Sequence, residues 1–421
     1  MKFRVLIISI SVLTIAIALR AQGPGSSLGL DWILSQVRRD NPDVKAAQAL
    51  AQASSDEAKA SLSWPDPQVG VEYWQIPRPG LDLGQAQQKQ LDFSQEIPFP
   101  SKTWLSHEAA LRNATAMNEK AREVLDQRLL EARQAYWNFY SACASLEAVS
   151  RTVGVLGNLV SISRERNRFG RVNRMDQLMD PMARMQRSEL DNQMEVLRHE
   201  RLTAQEDLDR LMDRKQDQAL PDPSLQPDIP EAPSSNQQAL DRALGDRAEV
   251  RVAQSELDRL ESERSLAQTG WWPDLMLQYS AVDMGGVPAG MAMAKVNLPF
   301  IWFWRQGNEV AAAKKQEEAS RQDLQGTLDQ TRQMVLDEES AFQSGQAQLA
   351  RLQDEIIPDA AKALALGMDG YRLGGVGVSD ALGAVQADLM ARLQRIGLTA
   401  QLGRSQAVLE RLMGGDETGG N

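Results

Sequence analysis

The methionines of this chain are spaced so that they could bind metal ions, because their thioether sulfurs are ligands for soft metals. One set of methionines recurs at helical spacing and a second lies in a segment of alternating residues; they are Met175, Met179, Met182 and Met185, and Met284, Met291 and Met293. Flexible methionine side chains more often fill gaps between packed elements than bind metal. We therefore interpret both sets as packing residues, with soft-metal binding as the alternative.

Other residue types that bind metals or act as nucleophiles are scarce. Cys143 is the single cysteine, and His107 and His199 are the two histidines among 421 residues. This count excludes an intramolecular disulfide and argues against a Cys-based or His-based metal centre. The sequence contains no nucleophile motif and no phosphate-binding loop. It therefore predicts a protein that is not an enzyme and that has no cofactor and no resident metal.

Net charge and the N-terminus limit the partners and the location. The net charge of −11 argues against nucleic acid as a partner. Residues 1–21 have the features of an export signal, since Lys2 and Arg4 precede an apolar stretch from Val5 to Leu19 and Ala21 offers a small residue for cleavage. A transmembrane anchor is the alternative, but it needs roughly 20 apolar residues and this stretch is shorter.

Two pairs of alternating segments predict β-hairpins. Val69 and Val71 fall on one face and Glu72 on the other, and Leu275 and Leu277 repeat the pattern in the second hairpin. Each strand is close to the ~9–11 residues that span a bilayer. Aromatic residues near the strand ends would form an interfacial girdle: Tyr73, Trp74, Trp271, Trp272, Trp302 and Trp304. An ordinary antiparallel sheet with one solvated face is the alternative.

Membrane strands would have to be shared between chains. Four strands cannot close a barrel, and open strand edges are not tolerated in lipid. If the hairpins span a membrane, several copies must therefore contribute to one barrel.

Very long helices are predicted after each hairpin. The segment from Lys102 to about Phe169 contains no proline, and at ~1.5 Å per residue it would be on the order of 100 Å long. Its apolar residues follow the spacing of a coiled coil: Leu125, Leu129, Ala132, Tyr136, Phe139, Cys143 and Leu146. A similar helix from about 306 to 370 contains Pro358, which predicts a kink. Both helices return after glycine-containing turns, over about 175–212 and 379–413, and another helix precedes the first hairpin over 31–63.

A duplicated motif indicates an internal tandem repeat. Glu96-Ile-Pro-Phe-Pro closes the first hairpin and Asn297-Leu-Pro-Phe closes the second. We predict a signal peptide (1–21), a first repeat (22–213) with a β-hairpin at about 67–97 and a helical hairpin at about 102–213, and a Pro-rich linker (214–236). A second repeat (237–413) would contain a β-hairpin at about 274–299 and a helical hairpin at about 303–413, followed by a flexible tail (414–421).

Several short phrases carry a family resemblance. Gly370-Tyr-Arg-Leu-Gly-Gly-Val-Gly-Val-Ser-Asp380-Ala-Leu and Arg168-Phe-Gly-Arg-Val-Asn-Arg-Met-Asp176 are similar to the periplasmic-tip turns of the TolC-like outer membrane factor family. The likeness covers essentially the whole mature chain. Asn41-Pro-Asp-Val, Pro65-Asp-Pro-Gln-Val and Gln95-Glu-Ile-Pro-Phe-Pro-Ser-Lys102 resemble the CzcC-like heavy-metal efflux branch, although Ser101 replaces a glycine of that branch.

The resemblance implies a mainly α fold with a small β part. Three identical chains would share one transmembrane β-barrel, with four strands each, and their helices would form a long α-helical barrel. Such a homotrimer would lie in the outer membrane of a Gram-negative bacterium, with outer membrane lipid around the strands and the helical body in the periplasm.

The function that the resemblance implies is passive export. The trimer would be the exit duct of a tripartite efflux system, docked on a periplasmic adaptor (membrane fusion) protein and an inner-membrane transporter, for metal ions or small toxic compounds. The alternatives are a type I protein-secretion duct and a periplasmic coiled-coil scaffold without a pore.

The resemblance also assigns roles at the two tip turns. Asp380 matches an aspartate that narrows the tunnel entrance and binds cations, and helix capping is the alternative. Asp176 holds the equivalent place in the first repeat, and Tyr371 matches a tyrosine that can accept a closing link in the periplasmic gate. The residues expected to contact the adaptor, or else to form plain interhelical turns, are Gly170, Arg171, Val172, Gly374, Gly375 and Val376.

Overall fold

The computed structural model describes residues 28–76, 82–168, 179–215, 218–225, 227 and 236–415. The predicted signal peptide and the first tip turn, with Gly170, Arg171, Val172 and Asp176, lie outside this part of the chain. Across the described residues, no helix combines the length and the apolar composition needed to cross a membrane.

Two helices precede the first hairpin. Helix α1 covers Leu30–Asp40 and helix α2 covers Pro42–Ala60, so the prediction of one continuous helix over 31–63 is wrong. The reason is local: the Asn41 side chain accepts hydrogen bonds from the amides of Asp43 and Val44 at 3.0 and 3.2 Å. Asn41 thereby caps a new helix that starts with proline, a residue suited to the first helical position.

The longest helix follows the first hairpin. Helix α3 covers Pro100–Arg168, which is 69 residues, and it packs along helix α4, Met179–Leu211. The predicted apolar seam lies at the centre of the main core: Leu129, Ala132, Tyr136, Phe139 and Cys143 are buried, with Leu125 and Leu146 packed against them. Periodicity alone located this core because the seam keeps one side of the helix facing its neighbours.

The second half begins with helices α5, Asn236–Asp246, and α6, Ala248–Gln268. After the second hairpin, α7 covers Phe303–Arg351 and α8 covers Ile357–Leu373. Between them, Leu352–Ile356 forms a π-helical turn, at the place where Pro358 predicts a kink. Leu352, at the start of this turn, is buried and Ile356, at its end, is exposed. Helix α9, Val378–Leu412, then runs back along α8 and α7 and also packs on α3.

One four-stranded antiparallel sheet joins the two halves. Its strands are β1 (Gln68–Trp74), β2 (Gln88–Ile97), β3 (Leu275–Met284) and β4 (Pro288–Val296). They lie side by side in the order β1-β2-β3-β4. The hairpins meet where β2 pairs with β3. Within the described part of the chain, β1 and β4 each have a neighbouring strand on one edge only.

Part of the proline-rich linker is packed against the body. Pro223 forms a parallel bridge with Leu28, whose amide donates to the Asp222 carbonyl at 3.1 Å, and Leu220 is buried. The linker is therefore not a free spacer over this stretch. At the other end, the described chain stops at Gly415, one residue after a turn in which Gly414 has a φ of +95°.

Candidate functional site

The sheet has two chemically different faces, and alternation along each strand creates them. One face carries large apolar side chains that are mostly exposed in the single chain: Val69, Val71, Tyr73, Leu91, Phe93, Leu277, Tyr279 and Val296. The pairings Val69 with Phe93 and Phe93 with Tyr279 place them in continuous rows across the strands. We call this surface the apolar face. A surface of this size and composition is suited to contact with lipid or with another apolar surface.

The opposite side, which we call the polar face, holds a buried hydrogen-bonded cluster. The Asp92 carboxylate accepts from Ser280, from the Gln90 amide at 2.6 Å and from the Gln278 amide at 3.3 Å. Lys295 donates to the Gln278 side-chain oxygen at 3.4 Å. Asp92, Gln90 and Ser280 are buried, so this charge is held in place by neutral donors on two strands, β2 and β3.

Aromatic side chains mark both ends of the sheet. Tyr73 and Trp74 lie at the end next to the loops, and Trp271, Trp272 and Trp304 lie at the end next to the helices; all five are exposed. Phe99 also stacks on Trp272, with ring centroids 4.9 Å apart. The Trp302 side chain lies outside the described part of the chain. Aromatic rings at two levels are the arrangement expected of residues at the two interfaces of a bilayer.

Asp274 joins the two hairpins where the sheet meets the helices. Its carboxylate accepts from Lys102 at 2.7 Å, from the Phe99 amide at 3.0 Å and from Asn297 at 3.1 Å. Burial opposes ionisation, but the hydrogen bonds from Lys102, the Phe99 amide and Asn297 outweigh it and lower the pKa of Asp274. The two Pro-Phe motifs are thus tied together, because Phe99 belongs to the first and Asn297 directly precedes the second.

Sequence reasoning missed this junction. Lys102 and Asp274 are 172 residues apart, and no local pattern links them. The equivalent aspartate of the first half, Asp66, is exposed. The available signal was that each Trp-Pro-Asp phrase precedes a hairpin, which indicates position but not partner.

The second tip turn connects α8 to α9. Gly374 has a φ of +86° and ends α8, with its amide donating to the Tyr371 carbonyl at 3.2 Å. Glycine suits this left-handed position, since other residues are strained there. The Gly375 and Val376 amides both donate to the Gly370 carbonyl, at 2.9 and 3.2 Å. A Cβ on Gly370 would lie 2.4 Å from Val376 Cγ2, so the turn closes tightly on itself.

The predicted gate residues occupy different environments in this turn. Tyr371 is fully buried in the main core with Val378 and Ala381. Asp380 is exposed and is the third residue of α9, whose N-cap is Gly377 without a side-chain cap hydrogen bond. Asp380 is therefore not the capping residue. As a carboxylate in the first turn, it still interacts favourably with the helix dipole.

The comparisons with known proteins agree with this architecture. Residues 239–415 match the family model described as outer membrane efflux protein. These residues belong to the outer membrane efflux protein family. The assignment confirms the predicted family and the predicted location in the outer membrane, and the family and the fold are those of channel proteins.

One curated relative is the cobalt-zinc-cadmium resistance protein CzcC of Cupriavidus metallidurans. It is 23% identical over 176 residues, and the match covers 42% of this chain and 42% of the relative. The alignment therefore spans less than half of the relative's length. The likeness agrees with the CzcC-like branch that the proline phrases indicate.

Solved outer membrane channels share the fold over most of its length. CusC superposes with a TM-score of 0.77 at 17% identity, covering 92% of each chain. VceC of Vibrio cholerae gives 0.75 at 17% identity, over 92% of this chain and 96% of that one. The open state of MtrE from Neisseria gonorrhoeae gives 0.76 at 16% identity, over 92% and 89%. The predicted fold class, mainly α with a small β part, is confirmed. The barrel shared between subunits, the internal repeat and the trimer stay predictions.

Proposed function

We propose that this outer membrane protein is the exit duct of a tripartite efflux system. The observation that carries the proposal is the sheet: one face is apolar and exposed, and the outer edges of β1 and β4 are open among the described residues. Open edges in lipid leave backbone groups without partners, which is prohibitively costly. Pairing of β4 with β1 of the next copy removes both edges at once.

The proposed assembly is a homotrimer with a barrel of three four-stranded sheets. The apolar face contacts outer membrane lipid and the polar face, with the Asp92 cluster, lines the inside. The trimer number rests on the family resemblance, while the need for several copies rests on the open edges. The internal repeat and the proposed domain boundaries divide each chain into two similar contributions to this barrel.

The helices form the periplasmic part of the duct. Helix α3 has 69 residues, which at ~1.5 Å per residue is on the order of 100 Å. Such helices, packed lengthwise around an axis, give a tunnel that reaches far into the periplasm. Its tip docks on a periplasmic adaptor, through Gly374, Gly375 and Val376 with Gly170, Arg171 and Val172, and beneath it lies an inner-membrane transporter.

Asp380 is the proposed gate residue. Its exposed carboxylate, repeated by symmetry around the axis, would produce a focused negative potential that attracts cations. Asp176 and Tyr371 complete the proposed closing contacts. Because Tyr371 is buried in the core, it would act through the packing of α8 on α9 or through its backbone rather than as an exposed side chain.

The proposed cargo is metal ions or small toxic compounds. The support is the name of the curated relative, a cobalt-zinc-cadmium resistance protein, and the acidic character of the proposed gate. A type I protein-secretion duct uses the same architecture and is the second candidate. A periplasmic scaffold without a pore is disfavoured, since it has no use for an exposed apolar sheet face.

Deletion of the gene and electrical recording test the proposal together. The deletion strain should become sensitive to metal ions or small toxic compounds, and the purified protein should form ion-conducting channels in planar bilayers. Loss of secretion of one protein, with unchanged resistance, would support the secretion duct instead. Recovery of the protein only in the soluble periplasm, with no channel activity, would contradict both the efflux duct and the protein-secretion duct.

A further inference from the structure

The central part of strand β4 is inverted relative to the other strands of the sheet, although Val296 at its end lies on the apolar face. On the apolar face it carries small residues, Gly290, Ala292 and Ala294, which pair with Ala281, Tyr279 and Leu277. Its larger side chains, Met291 and Met293, lie on the polar face. A strand built only to face lipid would place its large apolar residues on the lipid side, so these methionines need another explanation.

Register places four methionines on the polar face of the second hairpin. Met276 pairs with Lys295, Met293 with Gln278 and Met291 with Ser280, so Met276 and Met293 are diagonal neighbours. Diagonal neighbours lie about 7–8 Å apart, and residues two apart on one strand about 7 Å. Met284 lies apart from these three, at the loop end of β3, with Val282 and Ala289 between it and Met291. We call Met276, Met284, Met291 and Met293 the methionine row.

Two of the four methionines in the row are exposed in the single chain, and Met276 and Met293 are half-buried. Met284 is 55% exposed and Met291 is 43% exposed in the chain, although the sequence favoured a packing role for both. The row also borders the Asp92 cluster directly, because the register partners of Met291 and Met293 are Ser280 and Gln278, and both donate to Asp92. Met291 and Met293 therefore lie near the Asp92 carboxylate, whereas Met276 lies opposite Lys295.

This combination has a specific ligand chemistry. Thioethers are soft donors that select monovalent soft ions such as Cu⁺ and Ag⁺. Among the described residues, no group of three or more His, Cys, Asp or Glu side chains could hold a metal ion.

We propose that the methionine row is a series of binding sites for soft monovalent metal ions along the inner wall of the barrel. The inference deepens the proposed function and rests on it for one point, that the polar face lines the duct. Several weak sites in series suit transport, because an ion must be able to leave each site. The metal cargo of the proposed function would then include soft monovalent ions.

Silver binding to the purified full-length protein tests the inference. The variant Met276→Leu/Met284→Leu/Met291→Leu/Met293→Leu removes the sulfurs at nearly constant volume. Met390→Leu is the matched control, because Met390 is 68% exposed but lies on α9. Titration with Ag⁺ should give an affinity at least about tenfold weaker in the fourfold variant, as expected when ligand-shell groups are lost, and an unchanged affinity in the control.

X-ray absorption at the silver edge gives a second readout. The wild type should show sulfur neighbours around bound Ag⁺, and the fourfold variant should lose them. If the fourfold variant does not assemble, Met291→Leu/Met293→Leu alone should reduce the number of bound ions. Equal Ag⁺ binding and an equal sulfur signal in variant and wild type would overturn the inference. A variant that binds an apolar dye more weakly but binds Ag⁺ as the wild type does would also overturn it, because the methionines would then form an apolar surface and not a metal site.

Channel recording separates this inference from the proposed function. Both the wild type and the fourfold variant should conduct ions, because the methionines are not needed for the barrel. If the protein forms channels but its Ag⁺ binding does not depend on the methionines, the inference about the methionine row is overturned and the proposed duct function stands. If Ag⁺ binding depends on the methionines but the protein shows no channel activity, the metal sites are supported and the proposed duct function is overturned.

Discussion

The two hairpins of the sheet have the same backbone form but different surfaces. The first carries its large apolar residues, Val71, Leu91 and Phe93, on the apolar face. The second shares this pattern in β3 but reverses it in β4, where Ala292 lies on the apolar face and methionines lie on the other. We infer that the first hairpin mainly secures the sheet in lipid, whereas the second also determines what the inner surface offers to cargo.

The hairpins also differ in how they are anchored. Asp66 precedes the first hairpin and is exposed, whereas Asp274 precedes the second and is held by Lys102, Phe99 and Asn297. One carboxylate therefore connects both hairpins to the start of α3. Equivalent sequence positions in the two halves have different mechanical roles.

A charge on the apolar face should have the largest effect. Phe93→Arg removes a large apolar side chain and places a charge in lipid, at a cost of about 2–4 kcal/mol near the bilayer centre. We expect the variant to lose assembly in the outer membrane, measured as the fraction of protein recovered there in folded form. Ser94→Arg, on the adjacent polar-face position, should assemble. Equal loss in both variants would contradict the assignment of the two faces.

Removal of the Asp274 carboxylate should have the next largest effect. Asp274→Ala leaves Lys102 and the Phe99 amide without their acceptor, which should cost about 1.5–3 kcal/mol of stability. Asp66→Ala is the matched control and should be close to neutral. Thermal unfolding of both variants measures the difference, and similar losses would remove the asymmetry between the hairpins.

The contribution of Asp274 should depend on pH. Its folded-state pKa is lowered, so the folded protein favours the charged form more than the unfolded chain does. The stabilisation is therefore fully present above the unfolded pKa of about 3.9 and is lost as the pH falls through the lowered folded pKa. The stability gap between wild type and Asp274→Ala should close over this acidic range. A gap that persists unchanged in strong acid would show that packing, not charge, stabilises the junction.

The two glycines of the tip turn should have different roles: Gly374 is needed for the fold of the turn and Gly375 for docking on the adaptor. Gly374→Ala places a side chain at a φ of +86° and should destabilise the turn by about 1–2 kcal/mol. At Gly375 a Cβ would meet only the Gly370 carbonyl oxygen, at 3.9 Å, so Gly375→Asp should fold normally and impair adaptor-dependent resistance. Resistance at the wild-type level in Gly375→Asp would exclude this face of the turn from docking.

The smallest structural change should come from the gate position. Asp380→Asn keeps the size of the side chain and removes its charge, so stability should be nearly unchanged while the block of conductance by divalent cations weakens. Comparison with Asp369→Asn, another exposed carboxylate near the tip, controls for general charge. Unchanged block in Asp380→Asn would remove Asp380 from the gate.

Most of the architecture could be predicted from the sequence because it depends on periodicity. The alternation around Val69 and Leu275 located both hairpins, and the seam through Leu129 and Phe139 located the main core. The break at Asn41 was missed because a local cap overrides helix composition. The π-helical turn before Pro358 could be predicted only as a kink, since its exact form depends on packing against α9.

The site was less predictable, because its key contacts join distant residues. The Asp274 junction and the Asp92 cluster depend on pairing of β2 with β3, which no local pattern specifies. The exposure of Met284 and Met291 depends on what lies across the polar face. The methionines could be listed from the sequence, but their surroundings could not.

Cysteine accessibility along adjacent positions tests the central claim, that one face of the sheet meets lipid and the other lines a duct. Met291→Cys and Ala292→Cys differ by one residue and point to opposite faces, as do Ser94→Cys and Phe93→Cys in the first hairpin. The native Cys143 is buried and contributes little background. In intact outer membranes, a water-soluble thiol reagent should label positions 291 and 94 and spare positions 292 and 93. Equal labelling of both faces, or the reverse pattern, would contradict the shared barrel.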